Sequence, residues 1–576
     1  MENTKNQTIN RAMLAAAMVL AAVAMLRTAF VGLEIDEPYA LSLGFRLVSG
    51  DRMFATMWEP HQLSALPAAL VLALYMGITG TTTGVLLFFR FLVLACKAAM
   101  SWVFYREFRR QLGRTPAAIA ALVLFLYIPK WFLGPDYTGQ QFHFTVAAFL
   151  CFHHYVTRGF RRPWLVAVGA VCACFSFLAY PQSAAAFPFL WLGLFLLGRR
   201  GGEARFAGVP RGAWVLLGGC AVCGGAFLLW ALQGFGFDVG AFLARVKLIL
   251  DDPQYGFTAA ERLAQLGQQA FSVLQGWRWS LAAALLLCAY LYRRKAFARD
   301  RMALLLGVWT ILATLQCTLR AVKDSSLDER QFVPVAVLAG AWVFWRARRK
   351  PGTAALFWLG YLPGLAAYVL ILRSTVLGLS ATFMYLTWPA LCGLLVLLRW
   401  DTLALRRVAM ACLAAMLVFL SVCRLWCVQT IGWRGASVLD TPLVRIENGP
   451  AKGIWADEKA ADMQECLYEA LAPFAGQAVL QAIGEQNGLG FLMADGTLTV
   501  AQASVISGTD SDPRFEDYYT LVPDKLPDVI LYDDAEVRDM AAFHTWLEEN
   551  FAITDRYTVT HGTASLQVLV VDGWAS

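Results

Sequence analysis

The chain has 576 residues, 58% of them hydrophobic and only 15% charged, with a mean hydropathy of +0.54. An ordinary soluble domain carries about 25% charged residues, so this composition excludes a chain that is soluble throughout and points to a polytopic membrane protein. The net charge of +7 conceals a division: 40 Lys and Arg face 18 Asp and Glu before residue 430, whereas 8 face 23 from Thr430 onward. The expected organisation is a basic transmembrane portion, 1–429, followed by an acidic water-soluble portion, 430–576. The basic excess belongs to membrane loops and gives no reason to invoke nucleic acid.

In chain order, a polar start and Arg11 precede the first apolar run, 12–31. Arg27 interrupts that run and no clean small-residue cleavage site follows, so it reads as an uncleaved transmembrane helix and not a signal peptide. Immediately after it comes Glu34-Ile35-Asp36-Glu37-Pro38-Tyr39. An acidic cluster at the mouth of a membrane helix is costly unless it is solvated, paired or used. Further apolar segments lie at 85–105, 116–130, 141–157, 164–180, 182–198, 213–233, 279–292, 302–319, 332–345, 353–372, 379–398 and 408–428, with an ambiguous one at 63–80. Arginine clusters at 106–114, 158–162, 199–211, 293–301, 346–350 and 399–407 fall in every second loop only if 63–80 does not cross. The positive-inside rule therefore predicts about thirteen spans, a cytoplasmic N-terminus, and 63–80 lying along the outer interface or re-entering. The loops 32–84, 131–140, 234–278 and 320–331 and the C-terminal portion are then outside. The loop 234–278 mixes apolar and polar residues in a way that suits amphipathic helices over a cavity.

Twelve of the thirteen cysteines precede Thr430. The pairs Cys172/Cys174 and Cys220/Cys223 sit in apolar runs without His or acidic neighbours and read as small buried hydrophobes. Cys466 alone lies in the C-terminal portion, which rules out a disulfide within it. That portion reads as α/β, with strands at 478–483, 528–532 and 565–571 and helical spacing of Met540, Phe543, Trp546 and Leu547. There is no internal repeat, Walker-type loop or metal-ligand spacing. Metal dependence is left open, a divalent ion being compatible with the chemistry.

The outer loops carry the chemistry-bearing side chains. Asp36 and Glu37 are adjacent, so one at most faces a given cavity, and an outward carboxylate can act as a general base on a hydroxyl or amine. A solvated cap or topology signal is the alternative reading of the same pair. The loop continues through Glu59-Pro60-His61 to Pro67. Arg90 follows inside the next span, and Asp136 lies in Gly134-Pro135-Asp136-Tyr137. His153-His154, near the inner end of a span, reads as packing.

This order of acid pair, polar turn, interfacial helix, span bearing Arg and second outer acid resembles the first third of the GT-C glycosyltransferases. It is most similar to bacterial relatives of the protein O-mannosyltransferases and the lipid A aminoarabinose transferases. The resemblance implies an inverting transferase of the bacterial cytoplasmic membrane that moves a sugar from a polyprenyl phosphate to an envelope glycan, lipid or protein outside the cytoplasm. It implies Asp36 as catalytic base, Glu37 as its structural neighbour and Asp136 as the acid that positions or helps activate the acceptor. It also implies cations for the leaving lipid phosphate, for which Arg320, Lys323, Arg330 and Arg90 are the candidates, with His61, Glu59 and Tyr137 positioning donor or acceptor. The chain departs from the family in lacking paired prolines after the first outer loop and in the Tyr137-Thr138-Gly139-Gln140-Gln141 context of Asp136. A transporter or lipid flippase, or an envelope polysaccharide ligase or polymerase, is the alternative.

Overall fold

A computed structural model of the chain describes residues 2–576 apart from 35, 60, 251–257, 294–299, 326–329, 349–351, 376, 431–433, 475, 483–489, 491–492, 494–498, 501–513, 534–544, 546 and 575–576. Every apolar segment picked out from the sequence is helical. The helices are α1 (Glu2–Phe30), α2 (Asp36–Val48), α3 (Ala65–Thr79), α4 (Val85–Leu112), α5 (Arg114–Leu126), α6 (Tyr137–Thr157), α7 (Trp164–Ala179), α8 (Phe187–Arg200) and α9 (Arg211–Gln233). They continue as α10 (Val239–Leu250), α11 (Ala259–Arg293), α12 (Arg301–Asp324), α13 (Phe332–Ala347), α14 (Thr353–Leu356), α15 (Leu362–Ser374), α16 (Leu379–Thr382), α17 (Thr387–Leu397) and α18 (Leu403–Trp426).

Among the described residues, ten helical stretches are long and apolar enough to cross a bilayer, and three shorter apolar helices accompany them. Their large apolar side chains face outward, Leu286 at 74% exposure and Leu319 at 72% among them. Water would penalise such a surface and a bilayer would not, so the chain is an integral membrane protein. The stretch Gln62–Thr79 is apolar enough to count among the ten, but its ends are tied to one end of the bundle. Gln140, at the start of α6, donates to the Ser64 carbonyl. Beyond the far end of α3, Gly84 and Leu86 donate to Gly449 and Pro450 of the C-terminal portion. Helix α3 therefore lies along that end, packed on α2.

A short antiparallel pair, β1 (Arg205–Phe206) and β2 (Val209–Pro210), links α8 to α9; after α18 the chain forms the antiparallel pair β3 (Cys427–Thr430) and β4 (Arg434–Ser437), the pair β5 (Leu443–Arg445) and β6 (Trp455–Asp457), and helix α19 (Glu458–Leu471). A five-stranded sheet follows, built from β7 (Ala478–Ala482), β8 (Thr499–Val500), β9 (Val529–Tyr532), β10 (Phe551–His561) and β11 (Ala564–Trp574) in the order β10-β11-β9-β7-β8. Strand β7 runs parallel to β8 and β9, whereas β11 is antiparallel to β9 and β10. The three strands expected from sequence are present. Strand β10 escaped notice because most of its side chains are exposed, leaving little apolar alternation to read. The helical spacing expected at 540–547 lies largely outside the described residues.

This α/β portion shares its core with the helices. Ile446, Ile454, Leu467, Val479 and Val568 form one apolar cluster with Leu33, Leu41, Phe45, Leu72 and Phe89. A second cluster joins Trp58 of the loop between α2 and α3 to Tyr518, Tyr519 and Leu569, with Leu248 and Ile249 of α10 packed on it. The loop between α2 and α3 is further locked by a buried ionic network. Arg46 pairs with Asp51 at 2.7 Å and with Glu59, Lys525 reaches Asp51 at 2.9 Å, and the Tyr518 hydroxyl donates to the Thr56 carbonyl at 2.9 Å.

Candidate active site

The ends of α1, α5 and α18 meet the starts of α2, α4 and α6 at the end of the bundle that carries the α/β portion. Proline at 129 and positive φ at Trp131 (74°) turn the chain sharply after α5. A bulky residue adopts that backbone only where its surroundings impose it. The turn delivers Lys130 to Asp36, the first residue of α2, as an ion pair. Lys130 Nζ also donates to the Tyr137 hydroxyl at 2.6 Å and lies 4.0 Å from the centre of that ring. The Asp36 side chain keeps 13% of its surface exposed while Lys130 keeps 1%, so the carboxylate is the accessible partner.

Asp136 caps α6, accepting from the Thr138 amide at 3.0 Å, from the Gly139 amide at 3.1 Å and from the Thr138 hydroxyl. Burial pushes its carboxyl up to about 6, against the opposing pull of Lys130 and Thr138. Glu34 is fully buried and accepts from the Asp36 amide at 2.9 Å. Burial first, and then Asp36, hold it well above the usual carboxylate range. The His61 ring stacks on Tyr137 with 3.6 Å between centroids and 4° between planes, and Tyr180 and Tyr385 continue the aromatic wall. Burial and Lys130 push His61 down to about 3, so it is neutral at physiological pH.

No protein-family model and no curated protein matches the chain. Among solved structures it is similar over 99% of its length to 98% of the apo crystal structure of ArnT from Cupriavidus metallidurans, at 12% identity and a TM-score of 0.39. That likeness is too loose to bear on function. The site has to be read from its own geometry.

Of the residues singled out from sequence, Asp36, Asp136, Tyr137 and His61 come together around Lys130. Glu37 turns the other way, into a buried bidentate pair with Arg90. Arg90 Nε to Oε1 is 2.7 Å and Nη2 to Oε2 is 2.6 Å, and two further guanidinium hydrogens go to the Ala29 and Gly32 carbonyls. Arg90 is thus a partner of Glu37 and of the end of α1. Glu59 belongs to the Arg46 network beneath the α/β portion. Arg330 is buried, its guanidinium 4.4 Å from the Trp131 ring centre. Lys323 is exposed on the last turn of α12, and Arg320 donates to Gln331 at 3.4 Å. Residues 326–329 of that loop lie outside the described ones. His153 and His154 both bind Glu107, clamping α6 to α4.

Sequence reasoning missed Lys130 and Arg424 and took Arg27 only as an interruption. Each is a cation at or inside the end of an apolar run, a signal available in the sequence. Their partners were not, because these lie 94 residues away for Lys130 and 293 for Arg424. Among the described residues no group of three His, Cys, Asp or Glu could hold a metal ion.

Proposed function

We propose that the chain is an inverting membrane glycosyltransferase that moves a sugar from a polyprenyl phosphate to an envelope acceptor on the outer face of the cytoplasmic membrane. The observation that carries the reading is the partly exposed Asp36 carboxylate held by Lys130 at a mouth walled by His61, Tyr137, Tyr180 and Tyr385, with buried Arg330 on the adjoining Trp131. The acceptor oxygen attacks C1 of the sugar from the face opposite the phosphate and its proton passes to Asp36. The bond between C1 and the phosphate oxygen breaks, and the lipid phosphate leaves with both electrons. Lys130 holds Asp36 in place through their ion pair, and Asp136 fixes the start of α6 and orients the acceptor. Arg330, with Lys323 and Arg320 nearer the surface, meets the charge that develops on the leaving phosphate. Residues 1–429 carry the reaction. Residues 430–576 cap the site through the core they share with α2 to α4.

The deciding experiment is Asp36→Asn in the purified full chain, assayed with a synthetic polyprenyl-phosphate sugar for release of free polyprenyl phosphate. We expect a folded protein that has lost at least about 100-fold in turnover, the usual contribution of a positioned base. Turnover at the wild-type rate would remove Asp36 from the reaction. A flippase reading has one specific observation in its favour, the buried Lys97 within 3.3 Å of His143 between α4 and α6. A flippase cleaves no bond, so substrate-dependent release of the phosphate separates the two.

A further inference from the structure

Beside the mouth, next to Glu34, lies a narrow cleft open to one side that the scheme above does not use. Its walls come from the end of α1 and the segment after it (Arg27, Glu34), Arg90 of α4, already bound to Glu37, the turn after α5 (Trp131), the end of α18 (Arg424) and β3 (Cys427, Gln429). Arg27 Nη1 donates to the Arg424 and Cys427 carbonyls at 2.5 and 3.0 Å, and Arg424 Nη1 donates to the Trp131 carbonyl. Those bonds fix both side chains and leave Arg27 Nη2, Arg424 Nε and Nη2 and Trp131 Nε1 buried without a hydrogen-bond partner. Arg424 is only 3% exposed, its guanidinium lies 4.8 Å from the Trp131 ring centre, and neither arginine has a carboxylate partner among the described residues.

Four unmet donors on three side chains are expensive in a membrane protein, and an unpaired buried guanidinium more so. Structural packing does not account for them, since an apolar residue would fill the same space without the penalty. A ligand that is anionic and rich in acceptors does. Two guanidiniums and an indole approaching from three elements also suit a tetrahedral group better than a planar carboxylate, which one guanidinium satisfies alone. The one carboxyl in the wall is Glu34. Burial raises its proton affinity, which favours the hydroxyl form, and its Oε1 is likewise without a partner.

We propose that the Arg27–Arg424–Trp131 cleft is a phosphate-binding site, separate from the Asp36–Lys130 mouth. It takes a phosphate mono- or diester on a lipid headgroup or, by the same chemistry, free inorganic phosphate. The inference stands without the sugar-transfer reading, because no sugar enters its test.

The test is calorimetric titration of the full chain in dodecyl maltoside, free of phospholipid, with dodecyl phosphate in one arm and inorganic phosphate in the other. Dodecyl phosphate is expected to bind and to raise the unfolding temperature. Arg424→Gln and Arg27→Gln are each expected to weaken it about tenfold or more, the worth of a charge-assisted hydrogen bond, with Arg424→Lys recovering part of the loss. Tighter binding of dodecyl phosphate than of inorganic phosphate assigns a lipid headgroup, and equal binding assigns the free ion. Arg424 also supports the Trp131 turn, so if Arg424→Gln does not fold, Arg27→Gln decides. Wild-type protein that binds neither phosphate, or an Arg27→Gln variant that binds as wild type does, overturns the proposal.

Discussion

Replacing Arg90 by methionine removes a guanidinium that is 1% exposed from a Glu37 carboxylate that is fully buried. Four hydrogen bonds go with it, two to the carboxylate and two to the carbonyls of Ala29 and Gly32 that close the end of α1. What remains is an uncompensated buried carboxylate, and breaking a pair of this kind costs about 3–5 kcal/mol. Replacing both partners with methionine removes the stranded charge as well. The double variant should therefore be more stable than the sum of the single variants by about 1–3 kcal/mol. Unfolding of all four proteins in dodecyl maltoside, followed by tryptophan fluorescence, gives the cycle directly. If Arg90→Met unfolds where wild type does while the KM for a lipid-phosphate donor rises, Arg90 is a ligand contact and the pairing argument fails.

Asp136 has a pKa near 6 in the folded protein against an ordinary 3.8. The folded state then holds a proton that the unfolded chain releases, so stability should fall as pH rises from about 4 to about 6 and level off above that. Asparagine caps a helix as well as aspartate does. Asp136→Asn should therefore keep the fold and flatten this slope in unfolding midpoints taken across the window; an unchanged slope would assign the titration to another group. Gly32 has φ of +91°, and a Cβ there would stand 2.9 Å from the Gln429 carbonyl. Gly50 has φ of +100° with open space around it. Both alanine variants carry backbone strain, but only Gly32→Ala should also push the end of α1 off β3, lowering the unfolding temperature further and exposing the α/β portion to protease. Equal effects at the two positions would show that the junction contact contributes nothing.

The sequence read alone located the helical segments, because a run of about twenty apolar residues has few other uses. It also separated a basic from an acidic half, and it found the strands whose apolar residues are consecutive. The arginine alternation gave the expectation that 63–80 does not cross; the structure adds that Ser64 and Gly84, which flank α3, bond to α6 and to the C-terminal portion. Asp36, Asp136, His61 and Tyr137 were legible as residues with chemistry to offer, and the sequence could go no further with them.

The tertiary structure decided which charge meets which. Asp36 and Glu37 are neighbours in the chain, yet the first turn of α2 sends one to Lys130 at the mouth and the other to Arg90 in the interior. Only the converging helix ends make that choice. The same convergence collects Arg27, Trp131 and Arg424 around one cleft from three distant segments. It also merges the α/β portion with α2 to α4, where composition alone marked a boundary. Apolar length and charge balance are local properties, readable one segment at a time. A buried charge must find its partner wherever the fold places one, and no local pattern records that distance.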